Sequence, residues 1–258
     1  MVRLGLRSRS TDAGTRAGTE GTPRPREVPP LSPARLHRVR GYARMSGLSG
    51  IAFAVLFAVA LVLVRQGPAL AAPDSDYLSF YSGSSDVLAT VGLYVVPFAG
   101  IAFLWHLAAT RAMFRAFPGG PAEPTAWLQQ GSGLVFVCML FAGTAAVGAV
   151  ALLSTFGAAP LPPPDVARGL SGVGYGLMFV FGVRVAGMYM ITTTTLARAV
   201  GLLPGWVAVL GYLLAAFLLV STTFHPAVLL VFPAWLVLLG IVLPLRAGHR
   251  PASDTPQE

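Results

Sequence analysis

The amino-acid sequence predicts an all-α protein, a polytopic transmembrane bundle of six spans with both termini in the cytoplasm. Two observations indicate this class. Of the 258 residues, 55% are hydrophobic and only 11% are charged, with a mean hydropathy of +0.69, whereas a soluble domain carries about 25% charged residues. The apolar residues also gather in six long stretches. Such stretches are expected to be helices, because an isolated strand cannot satisfy its backbone polar groups in lipid.

The chain is expected to divide into three parts. Residues 1–44 are predicted to be a disordered basic tail in the cytoplasm, because most of this segment is rich in Gly, Thr, Pro and Arg and lacks apolar periodicity. Residues 45–246 form the six-helix transmembrane domain, and residues 247–258 form a short cytoplasmic tail. Met45 offers an alternative start of translation that would leave the first tail out of the protein.

The end of the first tail borders the membrane domain and is rich in arginine. Leu36, Val39 and Tyr42 recur there at helical spacing, which is typical of a short amphipathic helix lying on the inner leaflet. A basic cluster beside a span attracts anionic lipid rather than nucleic acid. The predicted partners are therefore membrane lipids and no nucleic acid, and a homo-oligomer stays open. Anionic headgroups are expected near Arg35, Arg38, Arg40 and Arg44.

Six apolar segments are predicted to span the membrane, because about 20 helical residues cross the roughly 30 Å hydrocarbon core. The first is followed by Ala69-Leu70-Ala71, which resembles a signal-peptidase site, so cleavage there is the alternative. The length of that segment and of the basic region before it favours a retained span. The segments cover approximately residues 47–64, 87–109, 131–155, 171–197, 203–222 and 226–245.

The distribution of arginine predicts the orientation in a bacterial plasma membrane. All 18 basic residues are arginine. With the N-terminus inside, ten tail arginines and five in the other inner segments face the cytoplasm, against Arg65 and Arg168 outside. Basic residues concentrate on the cytoplasmic side of membrane proteins. Both termini are therefore expected in the cytoplasm.

Arg184 is the first candidate for a functional residue. It lies at the midpoint of the fourth predicted span, and no Asp or Glu lies in any predicted span. An arginine at that depth costs about 2.5–3.5 kcal/mol on insertion scales and is a functional candidate for that reason. One interpretation is a cationic site for an anionic ligand, and the other is a structural arginine held by carbonyls, hydroxyls and an aromatic face. By depth alone, the residues expected beside it are Thr144, Tyr212 and Trp235.

Two other polar features receive structural interpretations. The hydroxyls of the four threonines 192–195 are expected to bond back to carbonyls one turn earlier in their own helix. His106, near the inner end of the second span, is expected to be hydrated at the interface, since a proton relay usually needs a chain of titratable groups.

A remote alternative is a serine protease. Gly169-Leu170-Ser171-Gly172 begins the fourth span and His225 precedes the sixth, which resembles rhomboid intramembrane proteases and would imply a Ser171–His225 dyad. The rhomboid His and Asn pair on the second span is missing, and the motif recurs as Gly47-Leu48-Ser49-Gly50 at the opposite face. No catalytic residue is therefore predicted. The recurrence also permits a three-plus-three inverted repeat of the transporter kind.

No metal or cofactor is expected, because the sequence lacks HExxH, P-loop and clustered His, Cys or Asp patterns. Three stretches resemble a family of uncharacterised actinobacterial multi-pass membrane proteins: residues 93–100, residues 187–195 and residues 221–226. This resemblance implies the topology and an inner-membrane location but no activity. The predicted function is non-enzymatic binding of a lipid or partner helix. The alternative is a small transporter of an anionic or amphipathic solute with a midplane site at Arg184.

Overall fold

The computed structural model describes residues 32–83, 86–117, 123–157 and 160–249, and these ranges fold entirely into helices and their connections. The helices are α1 (Pro33–Val64), α2 (Asp74–Gly83), α3 (Asp86–Thr90), α4 (Val96–Arg115), α5 (Glu123–Phe156), α6 (Pro164–Gly176), α7 (Val183–Ala199), α8 (Gly205–Val220) and α9 (Ala227–Gly248).

Two wider π-helical turns join helices that the sequence predicts as single spans. Val91–Val95 joins α3 to α4, and Leu177–Gly182 joins α6 to α7. The residues that flank both turns keep helical dihedral angles, so each joint continues its helix rather than breaking it. Such turns frequently occur at functional sites.

Within the described ranges, four helices are long and apolar enough to cross a membrane: Pro33–Val64, Glu123–Phe156, Pro164–Ala199 and Ala227–Gly248. The second and fifth predicted spans are helical as well, but they are not among the helices that are long and apolar enough to cross a membrane. Helix α8 has only 16 residues, about 24 Å of helix. The part of the chain that the structure describes is therefore all-helical, with four helices able to span a membrane, where the sequence predicts six.

Helix α1 corrects the prediction for the end of the basic tail. It begins at Pro33, a residue suited to the first turn of a helix, and runs without interruption to Val64. Leu36 and Val39 are buried rather than turned toward a membrane surface. The prediction of a separate surface helix is therefore wrong, because the apolar stripe of residues 33–44 continues in register into the span and packs inside the protein. Residues 1–31 of the predicted tail lie outside the described residues.

Arg40 fastens the start of α1 to the end of α9. Its guanidinium donates to the carbonyl oxygens of Ala247, at 3.2 Å, and Gly248, at 2.9 Å. These carbonyls lie in the last turn of α9, where a cation is favoured by the helix dipole. We call this end of the bundle the Arg40 end. The opposite end, where α1 ends and α2 and α6 begin, is the Asp74 end.

Close helix crossings depend on glycine. A side chain on Gly47 of α1 would collide with the carbonyl oxygen of Gly240 in α9, and one on Gly240 would lie 2.9 Å from the carbonyl oxygen of Gly47. A second crossing brings Gly143 of α5 against Gly174 of α6. Small residues allow such close approach in membrane bundles.

An aromatic layer crosses the middle of the bundle. The Phe53 and Phe103 rings lie 5.0 Å apart between centroids, and Phe136 and Phe232 lie 4.9 Å apart. Tyr189 packs edge-on against Phe103 at 5.4 Å and against Phe232 at 5.9 Å. Polar side chains gather on the Arg40 side of this layer, and an apolar cavity opens on its Asp74 side.

Candidate functional site

A cavity of about 590 Å³ lies between the aromatic layer and the Asp74 end. This volume falls within the range of about 300–1,000 Å³ that is typical of small-molecule sites. Its lining is predominantly apolar and comes from α1, the loop after α1, α4, α5, α6 with its π turn, and the segment around the start of α9. The lining residues are Phe57, Ala60, Leu61, Val64, Arg65, Gly67, Pro68, Ala69, Leu70, Ala71, Val96, Leu140, Gly143, Thr144, Val147, Gly174, Tyr175, Met178, Phe179, Phe224, Pro226 and Leu229.

Irregular backbone forms one wall of the cavity. Residues 221–225, between α8 and α9, have no helical structure, and Phe224 and Pro226 line the cavity beside the π turn that carries Met178 and Phe179. At membrane depth, non-helical backbone is tolerated only where it is buried in protein or lines a cavity. This wall of the cavity thus combines a non-helical segment with a π-helical turn.

Few polar side chains reach this cavity. The Thr144 hydroxyl donates to the carbonyl of Leu140 at 2.8 Å, so its proton is already used within α5. Tyr175 is half-buried, and Arg65 is exposed. The cavity therefore combines apolar walls with one cationic side chain. This arrangement suits an amphiphile better than a fully polar solute.

The roof of the cavity is the loop of residues 65–73, and Arg168 of α6 holds it in place. The Arg168 guanidinium donates to the carbonyls of Leu70, at 3.1 Å, and Ala72, at 3.0 Å. It also pairs with Asp74 at 2.8 Å and with Asp165. These contacts bind the loop and the start of α2 to α6 around one side chain.

Tyrosines of α2 complete this roof. The Tyr77 hydroxyl donates to the carbonyl of Ala69 at 3.0 Å, and its ring lies 4.9 Å from the Arg168 guanidinium carbon. Burial raises the pKa of Tyr81 above its usual value, and a hydrogen bond with the Ser171 hydroxyl lowers it in part. Tyr81 therefore stays neutral at physiological pH and belongs to the packed underside of α2.

Arg184 follows the π turn that forms part of the cavity wall, and it is not among the residues that line the cavity. It is half-buried, and its guanidinium donates to the carbonyl of Val180 in the π turn and to the carbonyl of Ser221 at 3.4 Å. Both acceptors are backbone groups, as the structural interpretation expects. The Ser221 hydroxyl is buried and has no hydrogen-bond partner among the described residues.

The other three residues predicted with Arg184 have their own surroundings. Thr144 lines the cavity, while the Tyr212 hydroxyl lies 2.9 Å from the hydroxyl of Thr195. Trp235 is fully buried against Phe232, with ring centroids 6.2 Å apart. None of the hydrogen bonds and ring contacts described for Thr144, Tyr212 and Trp235 involves Arg184.

The rhomboid-like pair has separate partners too. Ser171 is buried in α6 beside Tyr81, whereas His225 is exposed, and its Nδ1 accepts from the amide of Ala227 at 3.3 Å. A nucleophile and its base need direct hydrogen-bond contact. The described geometry shows no such contact between Ser171 and His225.

His106 differs most from its prediction. It is completely buried rather than hydrated, because α1 covers it: Ser46 contacts its ring, and the Cα of Gly50 faces it closely. Tyr189 packs edge-on against the imidazole at 6.1 Å. The sequence does contain a signal for the burial of His106. His106 and Thr110 are polar residues four positions apart on an apolar helix, so they lie on the same face of it.

The threonine run behaves as predicted at two positions. Thr192 donates to the carbonyl of Met188 at 2.9 Å, and Thr195 donates to that of Ile191 at 2.8 Å. The hydroxyls of Thr193 and Thr194 are buried as well, but the described residues show no bond from either to a carbonyl one turn earlier.

Within the described ranges, no group of three or more His, Cys, Asp or Glu side chains is placed to hold a metal ion. Comparison with known proteins finds no family model, no curated protein and no solved structure that matches this chain.

Proposed function

We propose that this chain is a six-span protein of the bacterial plasma membrane that binds one lipid-like amphiphile in the cavity at the Asp74 end and does no chemistry on it. The size and apolar lining of the cavity carry this proposal. A bilayer offers acyl chains as its most abundant apolar ligands. Arg65 supplies a positive charge for an anionic headgroup, since the charge of Arg168 is already paired with Asp74 and Asp165.

The proposed six-span topology adds two spans to the four long helices: residues 86–115 and α8 with the segment after it. Residues 86–115 form one continuous helical stretch through the π turn, about 45 Å at 1.5 Å per residue. Helix α8 is about 6 Å shorter than the hydrocarbon core, and the extended residues 221–225 supply the missing length. Exposed apolar side chains such as Val55, Ile101 and Phe217 suit contact with lipid.

Both termini are proposed to lie in the cytoplasm at the Arg40 end. Arg115, Arg198 and Arg246 lie in the last turns of the helices that end there, and Arg40 binds α9 at the same end. The positive-inside rule then assigns this end to the cytoplasm. Membership of the actinobacterial family stays a prediction.

Native mass spectrometry tests the ligand. Protein released in mild detergent is expected to carry one amphiphile of defined mass. Ala60→Phe should displace it, because Ala60 is buried and lines the cavity. Val59→Phe is the matched control, since Val59 is 42% exposed on the same helix. A folded Ala60→Phe variant that keeps the ligand at the wild-type ratio would contradict the proposal.

A second candidate is a small transporter of an anionic or amphipathic solute with its site at Arg184. The observation that favours it is the non-helical segment beginning at Ser221, which reaches the depth of Arg184. Substrate sites of many transporters combine interrupted helices with a charged group near the midplane. The unpartnered Ser221 hydroxyl offers a further polar contact.

Water access separates the two candidates. Ser221→Cys, in a Cys138→Ser background, places a thiol beside Arg184 without enlarging the side chain greatly. A transporter requires a hydrated path, so a membrane-impermeant thiol reagent should label this cysteine in cells. A lipid-binding protein with a sealed Arg184 gives no labelling there, while a cysteine at exposed Ser75 reacts as the positive control.

A further inference from the structure

Three polar side chains of α1 and α4 form a buried group on the Arg40 side of the aromatic layer. Ser46, His106 and Thr110 are all completely buried. The Ser46 hydroxyl lies 2.8 Å from that of Thr110 and 3.2 Å from Nδ1 of His106, and the same Nδ1 lies 2.9 Å from the Ser46 carbonyl oxygen. The Thr110 hydroxyl donates to the carbonyl of His106 at 2.7 Å.

The direction of these hydrogen bonds fixes the tautomer of His106. The Ser46 carbonyl can only accept, so Nδ1 must carry a hydrogen and donate it. Thr110 uses its hydroxyl proton on the His106 carbonyl, and the Ser46 hydroxyl can therefore donate to Thr110. The neutral imidazole is thus Nδ1–H, which leaves a lone pair and no hydrogen on Nε2.

That lone pair is enclosed. Nε2 of His106 is buried and has no hydrogen-bond partner within the described part of the chain. The ring stacks on Phe103 at 5.7 Å and meets Tyr189 edge-on. A buried imidazole nitrogen without a donor is unusual, because buried polar groups are nearly always hydrogen-bonded. An ionisable group inside a membrane bundle is a candidate functional site by default, and proton relays are among the roles of such groups.

We propose that Nε2 of His106 is a proton-binding site and that its protonation opens the contact between α1 and α4. A protonated Nε2 would become a charged donor, and the described residues around it offer no acceptor within hydrogen-bond distance. Because a buried, unpaired charge is strongly disfavoured, the protonated state favours an arrangement in which water reaches the ring. This site is independent of the amphiphile in the cavity, from which the aromatic layer separates it.

The groups that face His106 support a single titrating site. Helix α1 presents Ser46 and Gly50, and α7 presents Tyr189, whose hydroxyl accepts from the amide of Gln129 in α5 at 3.3 Å. The phenol of Tyr189 is the one other titratable group in contact with the ring among the described residues. The nearest arginines on α1 and α4, Arg44 and Arg111, are exposed.

Nitrogen NMR of histidine-labelled protein in lipid nanodiscs tests the site directly. The chain has four histidines, and the other three, His37, His225 and His249, are exposed. At pH 7.5, one histidine is expected to show the Nδ1–H tautomer. The Nδ1 and Nε2 signals of this histidine should both be absent from the spectrum of His106→Asn. On acidification, its Nε2 signal should convert to that of an imidazolium. An Nε2–H tautomer, or an imidazole that stays neutral at about pH 4, would overturn the proposal.

Hydrogen–deuterium exchange tests the opening. A histidine in contact with water takes up its proton near pH 6.5, so the open state should be about thirtyfold more populated at pH 5 than at pH 7.5. Exchange of residues 43–50 and 103–110, corrected for intrinsic rates, should accelerate by that factor. His106→Asn keeps the donor to Ser46 and should abolish the acceleration, while His225→Asn should retain it. Acceleration that persists in His106→Asn, or no acceleration in wild type, would refute the coupling.

Discussion

The crossing of α1 and α9 at Gly47 and Gly240 provides a sharp test of the packing. Alanine at position 47 would place its Cβ against the Gly240 carbonyl oxygen, closer than real Cβ contacts allow. The obstacle is backbone, which cannot rotate aside, so the two helices must separate. Gly41, on the same helix, has nothing within 4 Å of its missing side chain and serves as the matched control.

The two substitutions should shift stability in opposite directions. Gly→Ala in a helix stabilises by about 0.5–1 kcal/mol, and Gly41→Ala should gain that amount. Gly47→Ala gains the same helix propensity but adds overpacking of about 1–3 kcal/mol, which at the middle of both ranges leaves a net loss of about 1 kcal/mol. For a chain of this size, about 2–4 °C of Tm corresponds to each kcal/mol. We therefore expect Gly47→Ala to lower Tm by about 2–5 °C.

Thermal unfolding in one detergent, followed by size-exclusion chromatography of the heated samples, measures both variants against wild type. Gly240→Ala should behave like Gly47→Ala, since its Cβ would lie 2.9 Å from the Gly47 carbonyl oxygen. Equal Tm changes for Gly41→Ala and Gly47→Ala would show that the crossing is not close, and the packing of α1 on α9 would have to be reconsidered.

Three further outcomes follow from the cavity, from its roof and from the separate partners of Ser171 and His225. Arg65→Gln should reduce the proportion of anionic amphiphiles among the bound molecules while leaving the total amount bound unchanged. Lipid mass spectrometry measures the headgroup composition, and an unchanged composition in the variant would contradict the role of Arg65. Arg168→Gln should accelerate amide exchange in residues 65–73, because the variant loses the contacts to two loop carbonyls; unaltered exchange there would exclude its role in holding the roof. Wild-type protein should not react with a fluorophosphonate probe, since Ser171 and His225 have separate partners, and labelling that Ser171→Ala removes would instead support the protease.

The hydrophobic pattern predicts the positions of the helices well, because each long apolar run can satisfy its backbone in lipid only as a helix. The hydrophobic pattern does not predict where the helices begin and end. The sequence separates residues 33–44 from the first span on their charge, but Leu36 and Val39 find buried contacts and the helix continues. Helix α8 likewise stops at Val220, ahead of the predicted residue 222.

The sites depend on packing between distant segments, which periodicity does not reveal. Ser46 and His106 are 60 residues apart in sequence, and only the approach of α1 to α4 makes them a buried pair. The cavity arises similarly, where α1, α5 and the π turn after α6 leave space between them. The depth of Arg184 within its helix was predictable from the sequence, but its acceptors were not, because the Ser221 carbonyl becomes available only where α8 ends.

Photocrosslinking with a phospholipid that carries a diazirine in its acyl chain tests the proposed binding most directly. After irradiation in membranes, peptide mass spectrometry should find adducts on cavity residues such as Leu61, Leu140 and Met178, and Ala60→Phe should remove them. Adducts confined to exposed lipid-facing residues such as Val55 and Phe217, with the cavity unlabelled in wild type, would contradict the account.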